Sequence, residues 1–272
     1  MKSVVRIEAK LQNGSVSTGT GFTYRFACRS NGLHIPAIVT NKHVIEGAST
    51  VLLPISVIDE SANATGQYKV IEHVLNKNSV MYHPSSEVDL CAILLAPVIQ
   101  RLEQNGFLPA LVYLDKGITA STDTFSQLLP LEEVTMIGFP NGIWDSSNNG
   151  SIARKGVIAT IPENNYLGKR QFVVDMACFP GSSGSPVFLA NLGSYFERSG
   201  KFVSMGTRII LLGVLYAGPQ HTASGEIVLA PVPTQNKPMS FTSMPNNLGY
   251  VIKAVEFEAL ELLAENLLTK YP

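Results

Sequence analysis

Short apolar segments separated by turn-forming residues dominate the chain. Stretches such as SVVRIEAKL, GTGFTYRFA, HIPAIVTN and RQFVVDMA are rich in β-branched and aromatic residues and are bounded by Gly, Pro, Asn or Ser. Many short strands with turn residues between them predict an all-β barrel or sandwich. The longest apolar runs, LCAILLAPVI and IILLGVLYA, have the length of buried strands rather than of membrane-spanning helices.

A polar connector, LDKGITASTDTFSQL at residues 114–128, separates the predicted strands into two groups. We therefore expect two β-barrels with a seam between them, the first over residues 1–115 and the second over residues 116–250. A chain of 272 residues is long enough for one large all-β unit or for two small domains.

The remaining residues, 251–272, predict a C-terminal helix that packs on the body of the protein. In VIKAVEFEALELLAENLLTK, apolar residues recur at helical spacing and glutamates line another face. The positions expected on the apolar face are Val255, Ala259, Leu262, Leu263 and Leu267.

The charge balance argues against two classes of partner. The net charge is -1, from 20 Lys and Arg against 21 Asp and Glu, so there is no basic surplus for nucleic-acid phosphates or an anionic membrane. The N-terminal MKSVVRIEAKLQNGSV lacks the apolar segment of about 7–15 residues found in secretory signals. We expect no nucleic-acid or membrane partner and a cytoplasmic location, unless a leader has been removed.

Three cysteines, Cys28, Cys91 and Cys178, are widely spaced along the chain. An odd number without a secretion signal favours free thiols in a reducing compartment. We interpret all three as buried apolar side chains rather than catalytic thiols. No cysteine or histidine spacing is typical of a metal site, and we expect no cofactor.

The segment FPGSSGSPVF at residues 179–188 places three serines and two glycines between apolar residues. A serine attacks efficiently only when a base removes its proton, and acyl transfer also needs N–H donors at the developing oxyanion. Gly181 and Gly184 would allow a sharp turn in which the N–H groups of Gly181 and Ser183 meet at one oxygen. Ser183 is the candidate nucleophile, although a Gly/Ser turn without chemistry explains the same residues.

A base that acts near neutral pH is best sought among the five histidines. His43, in IVTNKHVIEG, follows an apolar strand and opens a short helical turn. The others lie in predicted turns, strands or loops: His34, His73, His83 and His221. Taken alone, any one of the five is more often structural than catalytic.

Asp89 is the candidate acid that orients the base. It stands in SSEVDLCAILLA directly before an apolar run, where a carboxylate is costly to bury unless it is hydrogen-bonded. A histidine ring N–H would be such a partner. A surface aspartate that caps the strand is the alternative interpretation.

These candidates occur in the order His, Asp, Ser, which is the order in chymotrypsin. Six segments carry a resemblance that covers roughly residues 15–220: GTGF (19–22), TNKHV (40–44), DLCAILL (89–95), IGFPNG (137–142), RKGVIATI (154–161) and VDMACFPGSSGSPVF (174–188). With these segments the chain resembles the chymotrypsin-fold, trypsin-like serine proteases. It is most similar to the bacterial HtrA-like and glutamyl-endopeptidase-like branch and to stand-alone peptidase domains.

The resemblance implies an all-β fold of two six-stranded antiparallel, chymotrypsin-like barrels. It implies His43 as general base and then acid, Asp89 as its orienter and Ser183 as nucleophile, with the N–H groups of Gly181 and Ser183 as the oxyanion hole. A protein or peptide would be the substrate, and a regulatory partner stays open. Ser182 stands where zymogen-activated relatives have Asp, so we expect no activation by internal cleavage.

The primary specificity pocket follows from the register of the same family. Its expected lining is Ala177, Cys178, Tyr216, Ala217 and Gly218. Neither residue before the nucleophile turn is acidic, and GVLYAGP contains no histidine, so the resemblance favours a small-to-medium apolar P1 residue.

Three functions remain in competition. The first is an active serine endopeptidase. The second is a catalytically silent or latent binding module on the same fold. The third is a non-proteolytic acyl hydrolase, which the absence of a G-x-S-x-G motif disfavours, because residues 181–185 read GSSGS.

Overall fold

The computed structural model describes residues 2–58, 64–198, 203–217, 220–226, 239–245 and 247–270. Its strands are β1 (Val4–Leu11), β2 (Val16–Phe26), β3 (Ile35–Thr40), β4 (Ala48–Ile58), β5 (Ala64–Val74), β6 (Val80–Tyr82), β7 (Cys91–Leu94), β8 (Leu108–Pro109), β9 (Glu133–Gly138), β10 (Ile152–Ile158), β11 (Gln171–Asp175), β12 (Pro186–Asn191), β13 (Ser194–Phe196), β14 (Val203–Met205), β15 (Arg208–Ala217), β16 (Gln220–Glu226), β17 (Met239–Pro245) and β18 (Leu248–Lys253). Its α-helices are α1 (Lys42–Ile45), α2 (Ala96–Gln104), α3 (Thr122–Gln127) and α4 (Phe257–Lys270).

The second half of the chain forms the predicted six-stranded barrel. Its strands close in the order β10-β11-β18-β15-β12-β9, and all of their pairings are antiparallel. Two further hairpins, β13-β14 and β16-β17, form separate two-stranded sheets. The all-β prediction and the closed second barrel are therefore confirmed.

The first half differs from the predicted six-stranded barrel. It is an antiparallel sheet with the path β5-β4-β1-β2-β3-β7-β6, and β8 pairs with β4 beside this path. Closing a barrel requires its two edge strands to exchange hydrogen bonds. Strand β6 is three residues long, and no pairing joins it to β5 within the described residues.

Two regions contain helical segments that were not expected from the sequence. Helix α2 occupies the end of the apolar run LCAILLAPVI, which we interpreted as strand, because a proline in its first turn favours a helix start. The polar connector also contains structure: a 3-10 helix at Lys116–Ile118 and helix α3, which a capping box at Ser121 begins. The proposed division at residue 115 falls between the two sheets and stays a prediction.

Helix α4 packs on the body as predicted, but it begins later, and Leu263 and Leu267 of the expected apolar face are only partly buried against the core. Strand β18 continues to Lys253, and a 3-10 turn precedes the helix. The buried positions are Phe257, Leu260, Ala264 and Leu268. Leu262, which we placed on the apolar face, is 62% exposed. In the described part of the chain, no helix is long and apolar enough to cross a membrane.

One apolar cluster joins the two halves and the helix. The Phe257 ring of α4 lies 6.2 Å from Phe22 and 5.4 Å from Tyr24, both on β2. Phe188 and Leu211 from the closed barrel belong to the same buried cluster. The two sheets therefore meet through a continuous core rather than through a flexible linker.

Candidate catalytic site

His43 and Asp89 form a close pair at the end of the first sheet. Strand β3 ends at Thr40, and α1 begins at Lys42, which places His43 in its first turn. The Nδ1 atom of His43 lies 2.5 Å from Asp89 Oδ2, and the backbone N–H of His43 donates to Asp89 Oδ1 over 3.1 Å. A carboxylate at Nδ1 favours the tautomer in which Nε2 is the unprotonated nitrogen.

The surroundings hold Asp89 in its ionised form. Burial raises the pKa of Asp89, but hydrogen bonds from the ring and backbone of His43, with the charge of that ring, lower it more. The pKa of Asp89 consequently lies below its ordinary value. The Asp89 carboxylate is partly buried and hydrogen-bonded to a histidine ring, as the sequence predicts.

The loop that carries Asp89 is anchored to the start of α1. The Asn41 side chain donates to the Asp89 carbonyl oxygen over 2.7 Å. The Lys42 ammonium donates to the carbonyl oxygens of His83 and Ser85, at 2.9 and 2.7 Å. Residues next to His43 therefore fix the backbone on both sides of the Asp89 loop.

Two consecutive tight turns carry Ser183. The N–H of Ser182 donates to the Phe179 carbonyl, and the N–H of Ser185 donates to the Ser182 carbonyl, both over 3.0 Å. Each turn has a glycine at positive φ as its third residue, with φ of 84° at Gly181 and 86° at Gly184. A type II turn requires this conformation, which explains the glycines of the segment.

The turns leave two neighbouring N–H groups free. The Pro180 carbonyl accepts from the N–H of Asn141 over 2.6 Å. Because C=O and N–H point in opposite directions across a trans peptide, this bond turns the Gly181 N–H away from Asn141. The Ser182 carbonyl is held within the second turn in the same way. Among the described residues, neither Gly181 N–H nor Ser183 N–H has an acceptor.

Ser183 Oγ is not bonded to the histidine. It donates to the Tyr216 carbonyl oxygen over 3.4 Å, and no hydrogen bond joins Ser183 to His43, both of which are described. Two hydrogen bonds connect Ser183 to the strand that precedes His43. Thr40 Oγ1 donates to the Thr20 carbonyl, and the Thr20 N–H donates to the Ser183 carbonyl. In enzymes without substrate, a catalytic hydrogen bond is often long or poorly aligned.

The predicted pocket residues are only partly described. Ala177 and Cys178 directly precede the Ser183 turns. The Tyr216 carbonyl accepts the hydrogen bond from Ser183 Oγ. The backbone of Ala217 ends β15, whereas Gly218 lies outside the described residues. The Tyr216 ring packs against Tyr250, with centroids 6.2 Å apart.

Sequence reasoning missed Arg154, which contacts the segment directly before the Ser183 turns. Its guanidinium donates to the Ala177 carbonyl over 3.0 Å and lies 4.8 Å from the Phe179 ring centre. Both contacts precede Ser183 in the chain. The segment RKGVIATI carries the family resemblance, but its sequence pattern does not indicate that Arg154 contacts a residue 23 positions away.

The cysteines divide by position. Cys91 and Cys178 are buried as predicted, and burial raises the pKa of Cys178 to about 11, so its thiol stays protonated. Cys28 is exposed, so our interpretation was wrong for it: it follows β2 in the polar turn CRSNG. The described residues contain no group of three His, Cys, Asp or Glu side chains that could hold a metal.

Comparisons with known proteins identify the family of the chain and solved structures of similar fold. The trypsin-like peptidase domain family matches residues 19–194, more than half of the chain. No curated protein matches the sequence. Two solved structures have a TM-score of 0.52: the thermostable serine protease AL20 from an extremophilic microorganism, 12% identical over 97% of both chains, and the protease Anisep from Arthrobacter nicotinovorans, 13% identical over 97% of this chain and 96% of that chain. The serine endoprotease from Yersinia pestis has a TM-score of 0.49 and 14% identity over 97% of this chain, which spans 63% of that longer chain.

Proposed function

This chain belongs to the trypsin-like peptidase domain family, and we propose that it is a serine endopeptidase with His43, Asp89 and Ser183 as its triad. A protein or peptide is the substrate class that follows from the family. The observation that carries the proposal is the contact between His43 and Asp89, together with the N–H groups of Gly181 and Ser183, which have no acceptor among the described residues.

The proposed chemistry follows from these atoms. His43 Nε2 removes the Ser183 proton while Oγ attacks the scissile carbonyl carbon, and the resulting imidazolium gives that proton to the leaving amine. This leaves an ester between Ser183 and the acyl part of the substrate. A water molecule, deprotonated by His43, then hydrolyses the ester and releases Ser183.

Asp89 and the free N–H groups supply the electrostatic part of the mechanism. Asp89 keeps the His43 ring in one tautomer and stabilises the imidazolium that forms. The N–H groups of Gly181 and Ser183 bind the oxyanion of the tetrahedral intermediate, and one such donor accounts for about 10²–10³ in kcat in a well-studied protease.

The finer proposal is an apolar P1 preference. Ala177 and Cys178 provide no acidic group for a Lys or Arg side chain. Among the described residues, Arg154 is the cation that we identified beside them, and one of its N–H groups donates to the Ala177 carbonyl. A peptide library should give small-to-medium apolar P1 residues. A profile dominated by Asp or Glu would contradict this preference and would point to Arg154.

One observation supports the second function, a latent or catalytically silent binding module. Ser183 Oγ faces the Tyr216 carbonyl and not His43, as a latent or silent module would require. A regulatory partner that rotates Ser183 would then be needed for activity. Such a partner, and the cytoplasmic location, stay predictions.

Labelling by a fluorophosphonate probe separates the two functions. We expect the wild-type protein to be labelled, and Ser183→Ala and His43→Ala to lose labelling, because only an activated serine attacks the probe. Ser30→Ala and His34→Ala, on the exposed turn before β3, are matched controls that should keep it. A folded wild-type protein that is not labelled would favour the latent module.

A further inference from the structure

Thr20 connects the first sheet directly to the turns that carry Ser183. It lies within β2 and is fully buried. Its Oγ1 donates to the Gly181 carbonyl over 2.8 Å and accepts from the Phe139 N–H over 3.1 Å. Its own N–H donates to the Ser183 carbonyl over 2.8 Å, and its carbonyl accepts from Thr40 Oγ1 over 2.7 Å. The backbone N–H, the backbone carbonyl and the hydroxyl of Thr20 are therefore all hydrogen-bonded, the hydroxyl as both donor and acceptor.

We propose that Thr20 is a positioning residue that keeps the N–H groups of Gly181 and Ser183 directed into the oxyanion hole. This inference rests on the proposed function, because it assigns a cause to the geometry of the same site. Thr20 touches neither the substrate nor the reacting atoms in this proposal. It acts through the orientation of the turn.

The argument starts from the carbonyl groups of the turns. Four consecutive carbonyls, those of residues 180–183, are each bound, and two of them are bound by Thr20. A trans peptide is planar, so binding its oxygen also fixes the direction of its N–H. The oxygens of Pro180 and Ser182, bound by the N–H groups of Asn141 and Ser185, therefore set the directions of the Gly181 and Ser183 N–H groups. Thr20 holds the alternate peptides that flank these two, through the Gly181 and Ser183 oxygens, so the turn cannot twist between them. The Thr20 hydroxyl is the single side chain in this set of bonds.

Close packing removes the space for another arrangement. A Cβ atom on Gly184 would lie 1.8 Å from the Thr20 carbonyl oxygen. A Cβ atom on Gly138, at the end of β9, would lie 2.9 Å from Thr20 Oγ1 and 2.0 Å from Ser185 Oγ. The second turn therefore lies directly against the backbone of β2, and a change at Thr20 is transmitted to it.

A hydroxyl is chemically required for both side-chain bonds. It offers one O–H donor and two acceptor lone pairs, which match the Gly181 carbonyl and the Phe139 N–H. Thr20→Val keeps the shape but leaves both groups buried without that partner. Thr20→Ser keeps the hydroxyl and loses one methyl group. These two variants separate the hydrogen bonds from the packing.

Thr23 supplies a matched control on the same strand. It is also fully buried, and its Oγ1 donates to the carbonyls of Val112 and Ser3, at 2.6 and 3.2 Å. Neither of these carbonyls belongs to the turns around Ser183. Thr23→Val therefore removes buried hydrogen bonds from β2 without releasing the proposed oxyanion donors.

The test compares steady-state cleavage by the wild type, Thr20→Val, Thr20→Ser and Thr23→Val. We expect Thr20→Val to lower kcat by about 10²-fold, the loss typical of a misplaced or missing oxyanion donor, with little change in KM. The pH midpoint of kcat/KM should not move, because the contact between His43 and Asp89 is untouched. Thr20→Ser should stay within a few-fold of wild type, and Thr23→Val should lose thermal stability but keep kcat.

Two kinetic outcomes would overturn the proposal. One is a folded Thr20→Val with wild-type kcat, and the other is an equal loss of kcat in Thr23→Val. If Thr20→Val does not fold, Thr20→Cys, a weaker donor of similar shape, replaces it. Crystal structures of wild type and variant give a readout without activity: we expect the peptide at Gly181 to rotate. An unchanged turn would reject the Thr20 role, whereas a wild type that cleaves nothing would reject only the proposed function.

Discussion

At the scale of single residues, the candidate site depends on hydrogen bonds and turns that the local backbone conformation positions. Asp89 accepts hydrogen bonds from both the ring and the backbone N–H of His43. Gly181 and Gly184 adopt positive φ, so the chain can turn twice within seven residues. Each of these features has a local cause, and each can be tested by one substitution.

The depressed pKa of Asp89 predicts how stability depends on pH. Because this pKa is lower in the folded than in the unfolded protein, the unfolded state binds the proton first as the pH falls. The stabilisation by Asp89 is therefore complete above its ordinary pKa and is lost as the pH falls through the folded pKa. Asp89→Asn should flatten the acid side of the stability curve.

Urea unfolding at a series of acid pH values measures this effect. Asp123→Asn, an exposed carboxylate on α3, is the control and should leave the curve unchanged. At pH 7, Asp89→Asn should also lower kcat by about 10³–10⁴-fold, because the ring loses its correct tautomer. Identical acid unfolding of wild type and Asp89→Asn would refute the stability prediction.

At the scale of elements, the start of α4 supports the loop that carries Asp89. Glu256 lies in the 3-10 turn before α4, and its Oε2 is 3.1 Å from His83 Nε2, although the two are not aligned as a hydrogen bond. His83 Nδ1 accepts from the Ser85 N–H, which leaves the ring proton on Nε2, the nitrogen nearer to Glu256. The C-terminal segment therefore contacts the Asp89 loop through a buried pair.

Removal of this pair should destabilise the protein. The side chains of His83 and Glu256 are 5% and 9% exposed, and a buried polar group left without its partner typically costs about 1–3 kcal/mol. We expect Glu256→Ala to lower the free energy of unfolding by about 2 kcal/mol. Glu87→Ala breaks an exposed pair with Lys169 and should cost less than about 1 kcal/mol.

Chemical denaturation of the two variants decides this prediction. The positions are comparable because each glutamate pairs with a side chain distant in sequence. If Glu256→Ala were no less stable than Glu87→Ala, the buried pair would contribute no net stability. The Asp89 loop would then be held by the bonds from Asn41, Lys42 and His43 without a contribution from α4.

At the scale of the whole molecule, the two halves share one apolar cluster. It includes Phe22 and Tyr24 from the first sheet, Phe188 and Leu211 from the barrel, and Phe257 from α4. The proposed oxyanion turn belongs to the second half, whereas Thr20, His43 and Asp89 belong to the first. The site is thus complete only when the halves are packed together.

This arrangement predicts a single unfolding transition. Trp144, the one tryptophan, lies in the second half but contacts Arg6 and Tyr68 of the first, at 5.2 and 5.4 Å. Its fluorescence should change at the same denaturant concentration as the far-ultraviolet circular dichroism. Two separate transitions would mean that residues 1–115 and 116–250 are independent domains.

Local features of the sequence were predicted well. The alternation of apolar and polar residues marks β1, because side chains point to opposite faces at every second residue, and the short run of β-branched and aromatic residues marks β11. The turn chemistry of Gly181 and Gly184 is readable in the same way, since positive φ is a property of one residue. Helix α2 was missed because a short apolar run does not distinguish a helix from a buried strand.

The sequence by itself determined a strand-rich chain, the second barrel, the family and the order of His43, Asp89 and Ser183, because these depend on local patterns and short motifs. Only the tertiary structure decided the open first sheet, the buried face of α4, and the roles proposed for Thr20, Arg154 and Glu256. These depend on which distant segments meet: Thr20 reaches Gly181 across 161 residues of chain, and no local pattern encodes such a contact. Short motifs therefore indicate candidate residues, whereas long-range packing determines which other residues contact them.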